Sequence, residues 1–204
     1  MANIEFWDER YDTDEFVYGT APNAFLANAV MDYFPSPPAT ILDLGAGEGR
    51  TAVFLATRGY DVVAVDASAV GLRKANQLAS KHGVQIATEE KDITEWQDEE
   101  RFDGIVCSFL HFAPADRPRL YRMMQRAVRP GGIVAAEWFR PEQRTEGYTS
   151  GGPPHVELMI DKAELRANFP EEGLLLLEDA SPMLEEGDHH SGPGATVRLV
   201  WRKG

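Results

Sequence analysis

The chain is poor in cysteine, in basic residues and in long apolar runs, and each shortage excludes a class of protein. A single cysteine in 204 residues leaves no partner for an internal disulfide. With 33 acidic and 20 basic residues, the net charge of −13 disfavours a nucleic-acid binder, which must neutralise phosphates. No apolar run approaches the ~20 residues of a membrane-spanning helix, and the acidic N-terminus lacks the apolar segment of a signal peptide. These features predict a cytoplasmic monomer or homodimer with neither nucleic acid nor a membrane as its partner.

From residue 39 onward, strand-like runs alternate with amphipathic helical segments. Strands are predicted at 40–44, 61–66, 84–92, 102–109, 132–139, 174–180 and 195–202. Helices are predicted at 49–58, between Ser68 and Gly83, around 120–128 and at 161–169. Such alternation predicts a mostly parallel sheet with helices on both faces, and the last two strands are expected to form an antiparallel hairpin at one edge.

Residues 1–38 precede this alternating region and form an extra N-terminal segment. Its part from 23 to 34 has a helical apolar pattern, and prolines at 35, 37 and 38 mark a linker into the first strand. The length of the chain is that of one domain, in which residues 39–204 form the core.

A glycine-rich turn follows the first predicted strand. Gly45, Gly47 and Gly49 have the spacing G-x-G-x-G, whereas the dinucleotide-binding pattern G-x-G-x-x-G would require a glycine where Arg50 stands. Glycines let the backbone turn sharply and approach a ligand closely. The helix that begins there offers free N–H groups, which suit a phosphate or a carboxylate.

Acidic residues end three successive predicted strands and indicate which ligand this turn binds. Asp43 would repel a pyrophosphate but attract an ammonium group. Asp66 is placed to accept hydrogen bonds from ribose hydroxyls, and Asp92 could accept from an adenine amino group with Ile93 packed near the ring. S-adenosylmethionine carries an ammonium, a sulfonium and a carboxylate but no phosphate, so it fits this set better than a nicotinamide or flavin nucleotide.

The sequence DLGAGEGR at 43–50, the two later aspartates and the segment CSFLHF at 107–112 resemble class I S-adenosylmethionine-dependent methyltransferases over about residues 39–140. The resemblance implies an α/β fold with a Rossmann-like, doubly wound, seven-stranded sheet, mostly parallel with the last strand antiparallel. The cofactor-binding residues that it implies in this region are Asp43, Gly45, Ala46, Gly47, Gly49, Asp66, Ala67, Asp92, Ile93 and Ser108.

The flanking segments WDERY (7–11), VYGTAPNAFL (17–26) and GDHHSGPGATVRL (187–199) resemble the small tellurite-resistance (TehB-type) methyltransferases. That family implies that the N-terminal segment caps the cofactor. Arg10 and Tyr18 would then bind the cofactor and Trp7 would line the substrate pocket, with Arg10 able to meet a carboxylate. The alternative for Trp7 and Tyr18 is packing against the sheet.

Three residues are candidates for catalysis. The family resemblance carries over His190 and Arg198, eight positions apart, whereas Ser191 stands where some members have an arginine, which weakens the case for oxyanion substrates. His111 follows the fourth predicted strand and is a candidate base, with Phe109 beside it as a pocket wall. Alternatively, His190 lies in a solvated loop and His111 is a strand-end histidine.

Three functional hypotheses remain open. The first is a methyltransferase that acts on a small molecule such as a thiol, a chalcogen oxyanion or a similar nucleophile. The second is a non-catalytic S-adenosylmethionine-binding protein with the same fold, and the third a nicotinamide-dependent oxidoreductase. No metal site is predicted, because adjacent histidines at 189 and 190 point in different directions and no third ligand is evident.

Overall fold

The computed structural model describes residues 4–93, 96 and 99–204. The α-helices are α1 Ile4–Tyr11, α2 Ala24–Tyr33, α3 Arg50–Ala56, α4 Ala69–Lys81, α5 Arg117–Ala127, α6 Glu142–Thr145 and α7 Lys162–Asn168. The strands are β1 Thr40–Leu44, β2 Asp61–Asp66, β3 Ala87–Glu90, β4 Phe102–Ser108, β5 Val128–Phe139, β6 Leu174–Ala180, β7 Met183–Glu185, β8 Ser191–Pro193 and β9 Thr196–Arg202. Short 3₁₀ turns lie at Val156–Leu158 and Glu171–Gly173.

Seven of the strands form one sheet in the order β3-β2-β1-β4-β5-β9-β6. The four pairs β3–β2, β2–β1, β1–β4 and β4–β5 are parallel. Strand β9 runs antiparallel to both of its neighbours, β5 and β6. The predicted α/β, Rossmann-like, doubly wound sheet with an antiparallel last strand is therefore confirmed. The chain continues from β1 to β2 on one side, whereas β4 pairs with β1 on the other, so a ligand cleft is expected beyond the carboxyl end of β1.

Apolar side chains from the two faces of the sheet form two cores. One core combines alternate residues of β1, β2 and β4 with α5 and with the end of α7, around the fully buried Trp138. The other combines the opposite strand positions with α2, α3 and α4. Because side chains alternate along a strand, Leu42 and Leu44 belong to the first core and Ile41 to the second.

The structure differs from the sequence prediction in several elements. β5 begins at Val128 rather than at 132, because the segment predicted to be a turn continues the strand as an irregular extension. β3 is limited to Ala87–Glu90. The helix α1 was not predicted, since four of its eight residues are charged, and it is held by contacts with α4. The loop predicted between the last two strands contains the small hairpin β7–β8.

Asn23 joins the N-terminal segment to the sheet. Its side-chain oxygen accepts a hydrogen bond from the Leu26 amide at 2.8 Å, which caps α2. Its amide nitrogen donates to Glu137 Oε2 at 2.7 Å and to Glu186 Oε1 at 2.9 Å. One buried side chain thus connects the start of α2, the strand β5 and the turn of the β7–β8 hairpin.

Lys74 on α4 holds the polypeptide that follows α1. Its Nζ donates to the carbonyl oxygens of Tyr11, Thr13 and Glu15 at 3.2, 3.0 and 2.6 Å. The same ammonium pairs with Glu48 Oε1 in the glycine-rich turn at 2.5 Å. The N-terminal segment is therefore fastened to the turn that follows β1. Across the ranges that the structure describes, no helix has the length and apolarity needed to cross a membrane.

We predict that Asn23→Ala lowers the free energy of unfolding by about 3 kcal/mol, because the helix cap is lost together with two hydrogen bonds to buried carboxylates. Chemical denaturation measures this change. Asn28→Ala is the matched control, since Asn28 is exposed on the same helix and alanine favours helix. An equal loss in the two variants would contradict the proposed connecting role of Asn23.

Candidate functional site

The glycine-rich turn folds back on the second strand. Gly45 and Gly47 have φ angles of 72° and 51°, in the region that favours glycine. The Gly45 amide donates to the Val65 carbonyl at 2.9 Å, and the Gly47 amide donates to Asp66 Oδ2 at 2.8 Å. A Cβ on Gly47 would lie 2.7 Å from the Tyr11 hydroxyl oxygen, so this position must be glycine for the turn to fit beneath α1.

A cavity of about 640 Å³ lies beyond the carboxyl ends of β1, β2 and β4. It is covered by α1, by the segment around Tyr18, by the loop 151–154 and by the turn of the β7–β8 hairpin. The sequence-predicted residues that line it are Trp7, Arg10, Tyr18, Asp43, Gly45, Ala46, Gly47, Asp66, Ala67, Asp92, Ile93, Ser108, Phe109, His111 and His190. Segments far apart in sequence thus meet around one space.

Gly49 does not line the cavity, in contrast to its predicted place in the cofactor site. It precedes α3 with a φ angle of 81°, and a Cβ there would lie 2.4 Å from Ala75 Cβ. The third glycine therefore permits the close approach of α3 and α4. It shapes the turn without facing a ligand.

Asp43 is a buried carboxylate without full hydrogen bonding. Within the described residues its Oδ2 has no hydrogen-bond partner. Burial raises the pKa of Asp43 to about 7, against a hydrogen bond from the Ala52 amide and the charge of Arg50, which lower it. A carboxylate of this kind gains from a cationic or hydrogen-bond-donating ligand.

Asp66 both holds the turn and lines the cavity. Its Oδ1 accepts from the Ser68 amide at 2.8 Å, while its Oδ2 accepts from Gly47. Burial raises the pKa of Asp66, and these backbone hydrogen bonds oppose the shift. Its neighbour in the cavity wall, Asp92, is half-buried, and Ile93 is buried in the larger core.

Aromatic rings from distant segments surround His190. The centroid of its ring lies 4.7 Å from those of Tyr18 and Phe109 and 5.2 Å from that of Phe139. His190 is buried rather than solvated, so the solvated-loop alternative is wrong. Trp7 and Tyr18 are half-buried in the cavity wall.

His190 is held through its Nδ1, which lies 3.4 Å from Glu186 Oε2. Burial lowers the pKa of His190, against the charge and hydrogen bond of Glu186, which raise it. A Cβ on Gly151 would lie 2.5 Å from His190 Cδ2. Residue 151 must therefore be glycine for the loop 151–154 to pass beside the His190 ring.

His111 lines the cavity, but both of its ring nitrogens face backbone groups. Nδ1 lies 3.0 Å from the Leu158 carbonyl oxygen, and Nε2 lies 3.4 Å from the Phe139 amide nitrogen. The tautomer with the proton on Nδ1 satisfies both contacts. Burial lowers the pKa of His111 to about 3, so this histidine stays neutral and is poorly suited to act as a general base.

Arg198 does not line the cavity, in contrast to its predicted place beside the substrate. Its Nε donates to Glu137 Oε1 at 2.7 Å, and the guanidinium lies over the Phe25 ring at 4.9 Å. The strand position of Arg198 on β9 places it opposite Glu137 on β5. The residue therefore supports the buried carboxylate that also binds Asn23.

Several side chains around the cavity have charged partners that the sequence did not reveal. Arg50 Nη2 donates to Glu186 Oε2 at 2.8 Å, and its Nη1 lies 3.5 Å from the Tyr18 carbonyl oxygen. Glu48 pairs with Lys74. The run Gly151-Gly152-Pro153-Pro154 was an available signal, because such loops often border ligand sites, but the partners of Arg50 and Glu48 could not be read from spacing. No group of metal-binding side chains is found among the described residues.

Comparison with known proteins gives a family for the central part of the chain. Residues 41–132 match the family model of a methyltransferase domain. The chain is 34% identical over 104 residues to the "Probable S-adenosyl-L-methionine-dependent methyltransferase TehB" of Haemophilus influenzae, which covers 48% of this chain and 36% of that protein. It is 29% identical over 198 residues to "Hemagglutinin 1" of Eikenella corrodens, covering 94% of this chain and 62% of that protein. The chain thus spans less than two thirds of the length of both relatives.

A similar fold occurs in a solved structure titled "Conversion of a Disulfide Bond into a Thioacetal Group during Echinomycin Biosynthesis". The TM-score is 0.78 at 21% sequence identity, and the match covers 98% of this chain and 92% of that chain. The likeness extends over the N-terminal segment and the β7–β8 hairpin as well as the central sheet.

We predict that Asp43→Asn changes how stability depends on pH. Because the folded pKa of Asp43, about 7, exceeds its unfolded value, the folded wild type binds more protons, and its stability falls as pH rises from about 4 to about 7. Relative to Asp43→Asn, the wild type should lose up to about 4 kcal/mol across that window. Chemical denaturation at several pH values measures the difference. The control is Asp61→Asn at an exposed position, and a difference that is flat with pH would contradict the argument.

Proposed function

We propose that the chain, whose residues 41–132 belong to a methyltransferase domain family, is a class I S-adenosylmethionine-dependent methyltransferase that transfers a methyl group to a small-molecule nucleophile. Candidate acceptors are a thiol, a chalcogen oxyanion or a similar nucleophile. The observation that carries the proposal is the buried Oδ2 of Asp43, which has no hydrogen-bond partner among the described residues and lies beside the glycine turn at the cavity wall. The proposal treats residues 1–204 as one methyltransferase domain, with the segment before residue 39 as its cap.

The residues around the turn fit this cofactor. Gly45 and Gly47 have no side chain, so a ligand can approach their backbone closely. A Cβ on Gly45 would lie 3.0 Å from Leu110, and a Cβ on Gly47 would lie 2.7 Å from Tyr11. The unsatisfied Asp43 Oδ2 favours a group that is cationic or donates hydrogen bonds, and its charge disfavours a pyrophosphate. The turn therefore suits a zwitterionic ligand without phosphates better than a dinucleotide.

We assign binding roles to the lining residues on this basis. Asp43 attracts the cationic methionine portion of the cofactor, and Arg10 is available for its carboxylate. Asp66 and Asp92 accept hydrogen bonds from the nucleoside, and Ile93 packs against its base. The remaining residues assigned to the cofactor are Gly45, Ala46, Gly47, Ala67, Ser108 and Tyr18.

S-adenosylmethionine supplies a methyl group that is already activated by its positive sulfur. The protein's own contribution is then to align the acceptor, to exclude water and to accept a proton. Trp7 and Phe109 form apolar walls. His190 accepts the proton of the substrate, because its Nδ1 faces Glu186 and its Nε2 is left to face the substrate. His111 and Arg198 support the walls from positions where their polar atoms are already paired.

A non-catalytic S-adenosylmethionine-binding protein remains the second hypothesis. It would share the cofactor site and lack turnover. A nicotinamide-dependent oxidoreductase is disfavoured by the charge of Asp43 and by the spacing of the turn. The three hypotheses differ in cofactor binding and in product formation, which can be measured separately.

We predict that calorimetry detects binding of S-adenosylmethionine and of its demethylated product, and detects none for NADH. Asp43→Asn should weaken binding of S-adenosylmethionine by about 10- to 100-fold, because one charge-assisted contact is lost. Asp61→Asn, at the exposed start of β2, is the matched control. Binding of NADH in place of S-adenosylmethionine would refute the proposal.

Turnover is tested by following methyl transfer from labelled S-adenosylmethionine to a panel of thiols, phenols, selenite and tellurite. A methylated product from at least one acceptor is expected, and His190→Gln should slow its formation by about 10²-fold or more if the acceptor must lose a proton. Tight cofactor binding without any product across the panel would favour the non-catalytic hypothesis.

A further inference from the structure

We propose that the acceptor end of the cavity selects an uncharged, largely apolar nucleophile such as an arylalkyl thiol, and that Glu186 sets this preference by neutralising Arg50. The inference rests on the proposed methyltransferase function and narrows its substrate class. It also separates the two acceptors that the sequence left open, because a thiol is neutral near pH 7 whereas a chalcogen oxyanion is not.

Acidic side chains predominate in the wall of the cavity. Among the described lining residues, the permanently cationic side chains are Arg10 and Arg50. Carboxylates outnumber them: Asp43, Asp66, Asp92 and Asp116 also line the cavity, as does Glu48, whose charge is balanced by Lys74. An anionic acceptor would therefore enter a space in which negative charge prevails, and burial strengthens the repulsion.

The cationic side chain of Arg50 is already paired with a carboxylate. Its guanidinium donates to Glu186 Oε2 at 2.8 Å, and both side chains are at least 90% buried. The same guanidinium lies 3.5 Å from the carbonyl oxygen of Tyr18. A buried ion pair of this kind presents no net charge to the cavity, so an oxyanion would have to compete with Glu186 for Arg50.

Glu186 is itself fixed by three elements. Its Oε1 accepts from Asn23 at the start of α2, and its Oε2 accepts from Arg50 on α3 and faces His190 Nδ1 at 3.4 Å. Its backbone amide donates to the His190 carbonyl at 2.8 Å. The carboxylate is therefore held in place and cannot easily leave Arg50 when an acceptor arrives.

Aromatic rings form the cavity wall beside His190. The rings of Tyr18, Phe109 and Phe139 lie within 5.2 Å of the His190 ring, between centroids. Such a wall can pack against an apolar or aromatic acceptor. An anion would lose its hydration against the rings of Phe109 and Phe139, which offer it no hydrogen-bond donor, and that loss is costly.

The same arrangement handles the proton of a neutral thiol. Glu186 holds the Nδ1–H of His190, so Nε2 is the nitrogen that can accept. The thiol proton passes to Nε2, and the sulfur lone pair forms the bond to the transferred methyl carbon. The bond between that carbon and the donor sulfur breaks, and its electron pair stays on the donor sulfur. The charged and titratable groups facing His190 are Glu186, Arg50, His189, His111 and Tyr18.

The test compares two probes that differ by one charge. Benzyl mercaptan and 4-(mercaptomethyl)benzoate share a ring and a thiol, and selenite serves as the inorganic anion. Their affinities are measured by calorimetry on the protein saturated with S-adenosylhomocysteine, which prevents turnover. We expect benzyl mercaptan to bind at least about tenfold more tightly than either anion. Equal or tighter binding of an anion by the wild type would overturn the proposal.

Glu186→Gln leaves Arg50 without its carboxylate and should raise the affinity for both anions by about tenfold, while benzyl mercaptan changes little. Glu185→Gln is the matched control, since Glu185 is an exposed neighbour in β7. The ratio of the affinity for benzyl mercaptan to the affinity for each anion should be the same in this variant as in the wild type. A folded Glu186→Gln protein with an unchanged ratio would contradict the role of Glu186.

If the Glu186→Gln protein does not fold, as circular dichroism would show, the wild-type ratio alone decides the acceptor class. Failure of S-adenosylhomocysteine to bind the wild type would instead refute the proposed function. The two failures are therefore distinguishable in the same titrations.

Discussion

The site depends on one buried carboxylate, Glu186, which connects three segments that are distant in sequence. It accepts hydrogen bonds from Asn23 and Arg50 and faces His190, so it ties the N-terminal segment and α3 to the turn of the β7–β8 hairpin. A buried carboxylate that lost these donors would be costly, because desolvation would no longer be offset. The segments that form these walls of the cavity are thus joined to one another through the contacts of Glu186.

A second set of contacts fixes the opposite wall. Lys74 binds three carbonyl oxygens after α1 and pairs with Glu48, while Asp66 holds the amide of Gly47. These bonds place α1 directly over the glycine turn. The result is a space that is polar where Asp43 lies and aromatic where His190 lies. That division matches a charged, zwitterionic cofactor at one end and an apolar acceptor at the other.

Much of this arrangement could be predicted from the sequence, for identifiable reasons. The sheet was predictable because most of its strands are short apolar runs, and the aspartates at the strand ends were predicted to meet because parallel strands end at one edge. The helix α1 was missed, because half of its residues are charged and it depends on tertiary contacts. Arg198 and Gly49 were assigned to the site, but neither lines the cavity. Arg198 pairs with Glu137 on the neighbouring strand, and Gly49 permits the contact between α3 and α4. Pairings such as Arg50 with Glu186 join positions 136 residues apart, and no local pattern encodes them.

The central claim is that S-adenosylmethionine binds at the glycine turn beneath the N-terminal segment. Hydrogen–deuterium exchange with and without S-adenosylhomocysteine tests it most directly, because it reports where the ligand slows opening of the backbone. The account predicts slower exchange at 43–49 and at 7–18 together, since Lys74 and Glu48 join these segments. Protection confined to other parts of the chain, or at 43–49 without 7–18, would contradict it.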